Sequence, residues 1–274
     1  MTVCAGCTCV VTGGSRGIGL AIARALADAG AAVAIGDIDA EAAAAAAAEL
    51  GRGAVGLELD VADPDTWERF AEEAEARLGP VDLLVSNAGV MAIGRFSEEP
   101  AERALRQVAI NLDGVILGIK RMLPGMLSRG RGHVVNVASA AGKTAYPGGA
   151  TYCASKHGVV GLSEALRDEL RGTGVGITVV LPGVVATELT SGLRTPRGVR
   201  AVSPEDVADA TVAAIERDRF SVYVPRTIGA ATKAMLAMPR PLADRVRALA
   251  GAGSFLVDVD VDGRAGYEGR IGSS

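Results

Sequence analysis

Residues 7–19 read CTCVVTGGSRGIG. The first six residues are short, β-branched and apolar on both faces, the pattern of a strand covered by helices on each side. Glycines then crowd the chain at positions 13, 14, 17 and 19, and a helical spacing of apolar residues runs from 18 to 29. Glycine allows a sharp turn and lets a ligand approach the main chain. The helix that follows offers unpaired N–H groups and a positive dipole end, to which a pyrophosphate is suited. A glycine string alone is common, but a strand before it and a helix after it are the context this chemistry requires. Gly13, Ser15, Arg16, Gly17 and Ile18 are the candidate anion-binding positions. Gly19 is the position where helix and strand pack most closely.

The pattern repeats outward from this turn. Residues 32–36, 55–59, 83–86, 133–137, 177–181 and 221–224 read as further strands. Residues 40–50, 64–78, 101–128, 150–171 and a stretch from Pro204 read as helices, the last with Ser203 as N-cap. Unbroken strand–helix alternation predicts an α/β fold, a doubly wound and mostly parallel sheet of the Rossmann kind. No linker divides the chain, so residues 1–257 are expected to form one domain with a helical extension from about 226. An amphipathic helix is expected over 228–249, interrupted near Pro239 and Pro241. The Gly- and Asp-rich tail 258–274 is expected to be flexible, and the polar stretch 191–198 to be a mobile loop.

Composition narrows the function. Among 274 residues, 32 are acidic and 28 basic, giving a net charge of −4. This argues against nucleic-acid or anionic-membrane partners, which call for a basic surface. No apolar run approaches the roughly 18 residues of a membrane span, and no targeting segment is evident, so a cytoplasmic location is expected. Cys4, Cys7 and Cys9 invite a metal reading, but no second ligand pair accompanies them, and no metal site is expected.

Asp37 ends the second strand, 18 residues past Gly19. An acid at that distance hydrogen-bonds the ribose hydroxyls of an adenine dinucleotide and repels a 2′-phosphate, which favours NAD over NADP. Arg16 is a counter-signal, since a cation there could meet that phosphate. Further on, Tyr152 and Lys156 are four residues apart and share one helix face. A phenol is a weak base with a pKa near 10, and a neighbouring ammonium would bring it toward working pH. Lys156 is one of four lysines in a chain with 24 arginines, so lysine is not the default cation here. Ser139 follows the strand ending at Val137, at the sheet edge where such folds bind ligands.

In this order, the TGGSRGIG turn, Asp60-Val61, Asn87-Ala88-Gly89, Asn111, Ser139, Tyr152-x3-Lys156 and Pro182-Gly183 with Thr187 resemble the short-chain dehydrogenase/reductase family over roughly residues 7–225. The resemblance implies an NAD-dependent enzyme, with NADP as the lesser alternative, that interconverts a secondary alcohol and a ketone. Tyr152 would exchange a proton with the substrate oxygen and Lys156 would hold the phenolate and the nicotinamide ribose. Ser139 would orient the substrate, and Asn111 would hold a water in a proton relay. Asp60 and Val61 would meet adenine, and Asn87, Ala88 and Gly89 would line the ribose side. Pro182, Gly183, Val185 and Thr187 would meet the nicotinamide end. A homodimer or homotetramer is implied as well. The apolar extension, with Met235 and Met238, resembles that of family members acting on lipophilic alcohols, which implies an apolar alcohol or ketone substrate covered by residues 187–197 and flanked by the 228–250 helix; the alternative for that helix is an oligomer contact. A rival reading is a dinucleotide-binding sensor or scaffold of the same fold without turnover.

Overall fold

Every residue of β1 (Thr8–Thr12) is buried, and the strand sits third in a seven-stranded sheet. Its neighbours are β2 (Ala32–Asp37) on one side and β4 (Val81–Ser86) on the other, both parallel. With β3 (Val55–Glu58), β5 (Gly132–Val137), β6 (Val175–Pro182) and β7 (Ser221–Val224), the order is β3-β2-β1-β4-β5-β6-β7, parallel throughout. The chain winds one way from β1 to β3, then returns to the other side of β1. Ligands of open α/β sheets bind at that reversal, beyond the carboxyl ends of the strands. The computed structural model describes residues 5–193, 201–249, 256–257 and 260–272.

Alternation along the strands feeds two cores. Val10, Ala34, Leu84 and Val134 face one layer, where they meet Trp67, Phe70, Met126 and Val159. Val11, Ile35, Val85 and Val135 face the other, where they meet Ile22, Leu26, Ala43 and Val207. The first layer is built from α3 (Pro64–Leu78), α4 (Ala101–Val108), α5 (Gly114–Arg129) and α6 (Ala150–Glu169). The second is built from α1 (Gly17–Asp28), α2 (Ala40–Leu50) and α7 (Pro204–Glu216). The alanine run of α2 is its packing face: Ala43, Ala46 and Ala47 are buried against the sheet. Ser203 caps α7 as its sequence indicates, its hydroxyl accepting from Asp206 N–H at 3.1 Å while the Asp206 carboxylate accepts from Ser203 N–H at 2.9 Å.

Three expectations differ from what is observed. The helix expected over 101–128 is divided by a π-helical turn, Ala109–Asp113. The wider turn carries Asn111 into the interior, fully buried, where both ends of its amide bond the Val90 main chain: Val90 N–H donates to Oδ1 at 2.8 Å and Nδ2 donates to Val90 C=O at 2.9 Å. An inserted residue of this kind leaves no mark on hydrophobic spacing. Second, the interruption expected near Pro239 and Pro241 in the 228–249 helix falls at Pro239 alone, giving α8 (Arg226–Ala237) and α9 (Arg240–Leu249) with Pro241 inside α9. They are separated at Pro239, whose missing N–H and fixed φ stop helix propagation. Third, the tail expected to be flexible carries α10 (Val261–Gly272). Its stability comes from docking rather than from its own composition: Tyr267 is 9% and Arg264 2% exposed. Tertiary packing routinely supplies what propensity lacks. Most of the loop expected over 191–198 falls on residues 194–200, outside the described residues, and so does part of the expected cover 187–197. No helix is long and apolar enough to cross a membrane among the described residues.

Candidate active site

The glycine turn leaves β1 through Gly13, at φ 60°, and enters α1 through Gly17, at φ 55°. Both values lie in the left-handed region, where a side chain is strained. Arg16 is the N-cap of α1, yet no side chain caps this terminus and no acid lies in its first turn. The positive end of the helix is therefore left to whatever occupies the space in front of it. Asn87, just past β4, braces the turn from behind: its Nδ2 donates to the carbonyls of Thr12 at 3.0 Å and Gly13 at 3.1 Å. The Thr12 hydroxyl accepts from the N–H groups of Asn87 and Ala88, both at 3.0 Å. The turn is thus fixed between two strand ends before any ligand arrives.

Asp37, at the end of β2, accepts from Ser15 N–H at 3.2 Å and Ser15 Oγ at 2.6 Å through one oxygen. Its other oxygen accepts from Asp39 N–H at 3.3 Å. Arg16 is turned toward acids: it lies 3.5 Å from Asp39 and 3.9 Å from Glu188. Asp60 accepts from Ala62 N–H at 2.9 Å and pairs with Arg106 at 3.2 Å.

A cavity of about 450 Å³ opens here, within the usual range for small-molecule sites. Of the positions singled out in the sequence, Gly13, Arg16, Gly17, Ile18, Asp37, Asp60, Val61, Asn87, Ala88, Gly89, Ser139, Tyr152, Lys156, Pro182, Gly183, Val185 and Thr187 all line it. Ser15, Gly19 and Asn111 do not. Ser15 holds Asp37, Gly19 lies behind the turn against the Gly13 carbonyl, and Asn111 lies behind Gly89. A methyl added at Gly89 would sit 3.1 Å from Asn111 Oδ1 and 3.4 Å from Lys156 Nζ, so the amide and the ammonium converge on one point of the wall. Asn111 Nδ2 also donates to Ser155 Oγ at 3.1 Å, tying the π-helical turn to α6.

Tyr152 and Lys156 share a face of α6, and both are buried. The ammonium donates to Val137 C=O at 3.0 Å and lies 6.0 Å from the Tyr152 ring centre. This corrects the electrostatic expectation drawn from the spacing. Burial pushes the Tyr152 phenol well above its usual value, and the hydroxyl of Ser139, hydrogen-bonded to it, draws it only partly back. The ammonium is committed to a main-chain carbonyl, and burial lowers its own pKa to about 8. Ser139 is held by Ala141 N–H, which donates to its Oγ at 3.1 Å. Met91, Ala141, Tyr152 and Cys153 form a small apolar cluster around the phenol, with Ile93, Tyr146, Leu189 and Leu193 against it.

The wall near the phenol corrects a second expectation. Among the described residues, α8 and α9 contribute nothing to the cavity lining; α8 lies on β7, with Gly229 against the Tyr223 ring. Leu189, Thr190 and Tyr267 line it instead. Leu189 and Thr190 belong to the expected cover 187–197, while Val90 was missed but follows Gly89, so adjacency could have found it. Tyr267 sits in a Gly-rich tail with no periodic pattern, and nothing local marks it. No group of three or more His, Cys, Asp or Glu side chains is placed to hold a metal among the described residues. Cys7 and Cys9 are in no disulfide among the described residues, and Cys4 lies outside those residues.

Comparison with known proteins agrees with this architecture. Residues 8–198 match the short chain dehydrogenase family. A 1-deoxy-11-beta-hydroxypentalenate dehydrogenase of Streptomyces exfoliatus is 40% identical over 223 residues, spanning 78% of this chain and 81% of that protein. The ketoacyl reductase HetN of Nostoc is 35% identical over 246 residues, 87% of this chain and 86% of its own. Among solved structures, a short chain dehydrogenase/reductase from Burkholderia phymatum in complex with NAD superposes with a TM-score of 0.79 at 30% identity, covering 85% of this chain and 94% of that one. With its parallel sheet, its glycine turn and the tyrosine and lysine of α6 at one carboxyl edge, this chain belongs to the short-chain dehydrogenase/reductase family.

Proposed function

We propose that the protein is an NAD-dependent oxidoreductase that interconverts a secondary alcohol and a ketone with an apolar body. The observation that carries the reading is the convergence of an uncapped helix N-terminus, the acid Asp37 at the end of β2 and a serine–tyrosine–lysine set on a single cavity. The names of two relatives, a dehydrogenase of a hydroxylated compound and a ketoacyl reductase, support the same chemistry.

The residues fit a dinucleotide. The main-chain N–H groups at the start of α1 would hold the pyrophosphate, with Gly13, Gly17 and Ile18 leaving room for it. Asp37 would accept from the adenosine ribose hydroxyls. A 2′-phosphate would meet that carboxylate, while Arg16 is already matched by Asp39 and Glu188; both features favour NAD. Asp60 and Val61 would flank adenine, with Asn87, Ala88 and Gly89 beside the ribose. Pro182, Gly183, Val185 and Thr187 would hold the nicotinamide end. When bound, the cofactor supplies the hydride acceptor or donor.

Tyr152 carries the proton. In the reducing direction the substrate oxygen takes the phenolic proton as its carbon receives hydride, so no charge builds up on that oxygen. In the oxidising direction the phenolate takes the hydroxyl proton. The buried phenol is protonated at neutral pH, which suits it to act as the acid. Ser139 hydrogen-bonds the same oxygen and orients it. Lys156, its ammonium bonded to Val137 C=O, would hold the nicotinamide ribose and, with Asn111 across Gly89, mark the route by which the proton reaches solvent. Assembly into a homodimer or homotetramer belongs to the same reading, with Leu105 on α4, 70% exposed, as a candidate contact.

Tyr152→Phe tests it. The expected outcome is a fall in kcat of about 10²–10⁴-fold on secondary alcohols, with NADH affinity unchanged. Equal turnover by both proteins would remove Tyr152 as the proton carrier, and no turnover by the wild type would reduce the chain to a dinucleotide sensor.

A further inference from the structure

The C-terminal helix α10 is held in a way that a chain end packed only for cover does not need. Arg264 is 2% exposed, and every nitrogen of its guanidinium is engaged. Nε donates to Glu268 at 2.7 Å. Nη1 donates to Leu189 C=O at 3.0 Å and Ser191 C=O at 3.1 Å. Nη2 donates to Met91 C=O. Glu268 also pairs with Arg103 of α4. Burying a guanidinium is costly unless its donors are matched, and here they are matched by main-chain carbonyls of the two segments that leave β4 and β6. Two further bonds close the same seam: Ser191 Oγ donates to Gly263 C=O at 2.6 Å, and Asp260 N–H donates to Gly192 C=O at 3.0 Å.

This arrangement aims one side chain. The Tyr267 ring lies under the Arg264 guanidinium, 4.6 Å from its centre, and its oxygen accepts from Met91 N–H at 2.7 Å. Tyr267 lines the cavity beside Tyr152, Ser139 and Leu189, and its phenol is near enough to Tyr152 to influence that group electrostatically. The cluster around Tyr152 is apolar, and four of the five N–H donors of Arg264 are already engaged within the protein.

We propose that α10 is the substrate-selecting wall of the site: Tyr267 touches the uncharged, apolar body of the alcohol or ketone, and Arg264 is the positioning residue that holds it there. The proposal rests on the reading of the cavity given above and deepens it by assigning the substrate class to a named surface.

The test uses the full-length protein with NAD bound, so that a ketone binds without being reduced. Affinities for a series of 2-alkanones of increasing chain length are measured by calorimetry, and KM and kcat for the matching 2-alkanols are measured with NAD. The wild type is expected to bind tighter as the chain lengthens. Tyr267→Ala should weaken the long members by roughly ten-fold or more while leaving affinity for the shortest members and for NADH unchanged. Tyr267→Phe keeps the ring and should keep the chain-length preference. Arg264→Met should reproduce the alanine pattern through displacement of the helix. Should Tyr267→Ala fail to fold by circular dichroism, Tyr267→Leu replaces it, with weakening confined to the longer chains again expected. A wild type indifferent to chain length overturns the proposal, as does an alanine or leucine variant with unaltered preference or with kcat lowered equally for all substrates. Absence of NADH binding and turnover in the wild type sinks the underlying oxidoreductase reading instead.

Discussion

Gly19→Ala offers a test of the site that depends on backbone geometry alone. An alanine methyl at position 19 would lie 2.2 Å from the Gly13 carbonyl oxygen, 2.9 Å from its carbon and 2.5 Å from Asn87 Nδ2. Ordinary contacts at carbon need about 3.5 Å, so the glycine turn must retreat by about 1 Å. It cannot do so freely, because Asn87 bonds Thr12 and Gly13 while Thr12 bonds Asn87 and Ala88. Overpacking of this kind costs about 1–3 kcal/mol. Loss of the two Asn87 amide bonds adds about 1 kcal/mol each, for a total of about 3–5 kcal/mol. A displacement of about 1 Å at the phosphate-facing main chain should also weaken the site by roughly 100-fold. Urea unfolding reads the first quantity and NADH fluorescence titration the second. Gly161→Ala is the control: it lies on the exposed face of α6 with no atom within 4 Å of the added methyl, and a gain of about 0.5–1 kcal/mol is expected. If Gly19→Ala unfolds within about 0.5 kcal/mol of the wild type and binds NADH equally well, the tight approach of turn and helix is refuted.

Cofactor choice is tested at the acids around Arg16. Asp37→Ser should narrow the preference for NADH over NADPH by roughly ten-fold, since removing one charge near a phosphate is worth about 1 kcal/mol or more at contact distance. Adding Asp39→Ser should narrow it further by removing one of the two acids that hold Arg16, and an unchanged ratio in the double variant contradicts the charge argument. His133, at the start of β5, is held neutral by burial, its pKa lowered from 6.5 to about 4, and its Nε2 lies 2.8 Å from Thr178 Oγ1. Because the unfolded chain binds the proton first, stability is fully present above pH 6.5 and falls as the pH drops from 6.5 to 4. The loss is at most about 3 kcal/mol for a wholly desiccated ring and less for this half-buried one. His133→Gln, compared by unfolding at pH 4 and 7, should show a flatter dependence, and an identical one removes His133 as the cause.

The glycine turn illustrates what one-dimensional pattern can carry. Strand, turn and helix residues 8–28 are contiguous, and their roles follow from local conformation: apolar alternation for β1, φ freedom at Gly13 and Gly17, helical spacing for α1. The same holds for Tyr152 and Lys156, which share a helix face by arithmetic. Asp37, Asn87, Ser139 and Thr187 were legible as well, because each follows the end of a strand and parallel strands bring those ends to one edge.

What the sequence settled by itself was therefore everything encoded at short range: a parallel, doubly wound sheet, a phosphate-suited turn, and a tyrosine and lysine on one helix face. Tertiary structure alone decided the rest. The phenol is raised by burial rather than lowered by its lysine, because desolvation depends on all neighbours and the ammonium is engaged by Val137. The π-helical turn that buries Asn111 follows from its bonds to Val90, 21 residues away in the chain. The wall beside the phenol comes from Tyr267 and Arg264, whose partners Met91 and Leu189 lie far back along the chain. Contacts of that range are specified by packing free energy summed over the whole fold, and no local period records them.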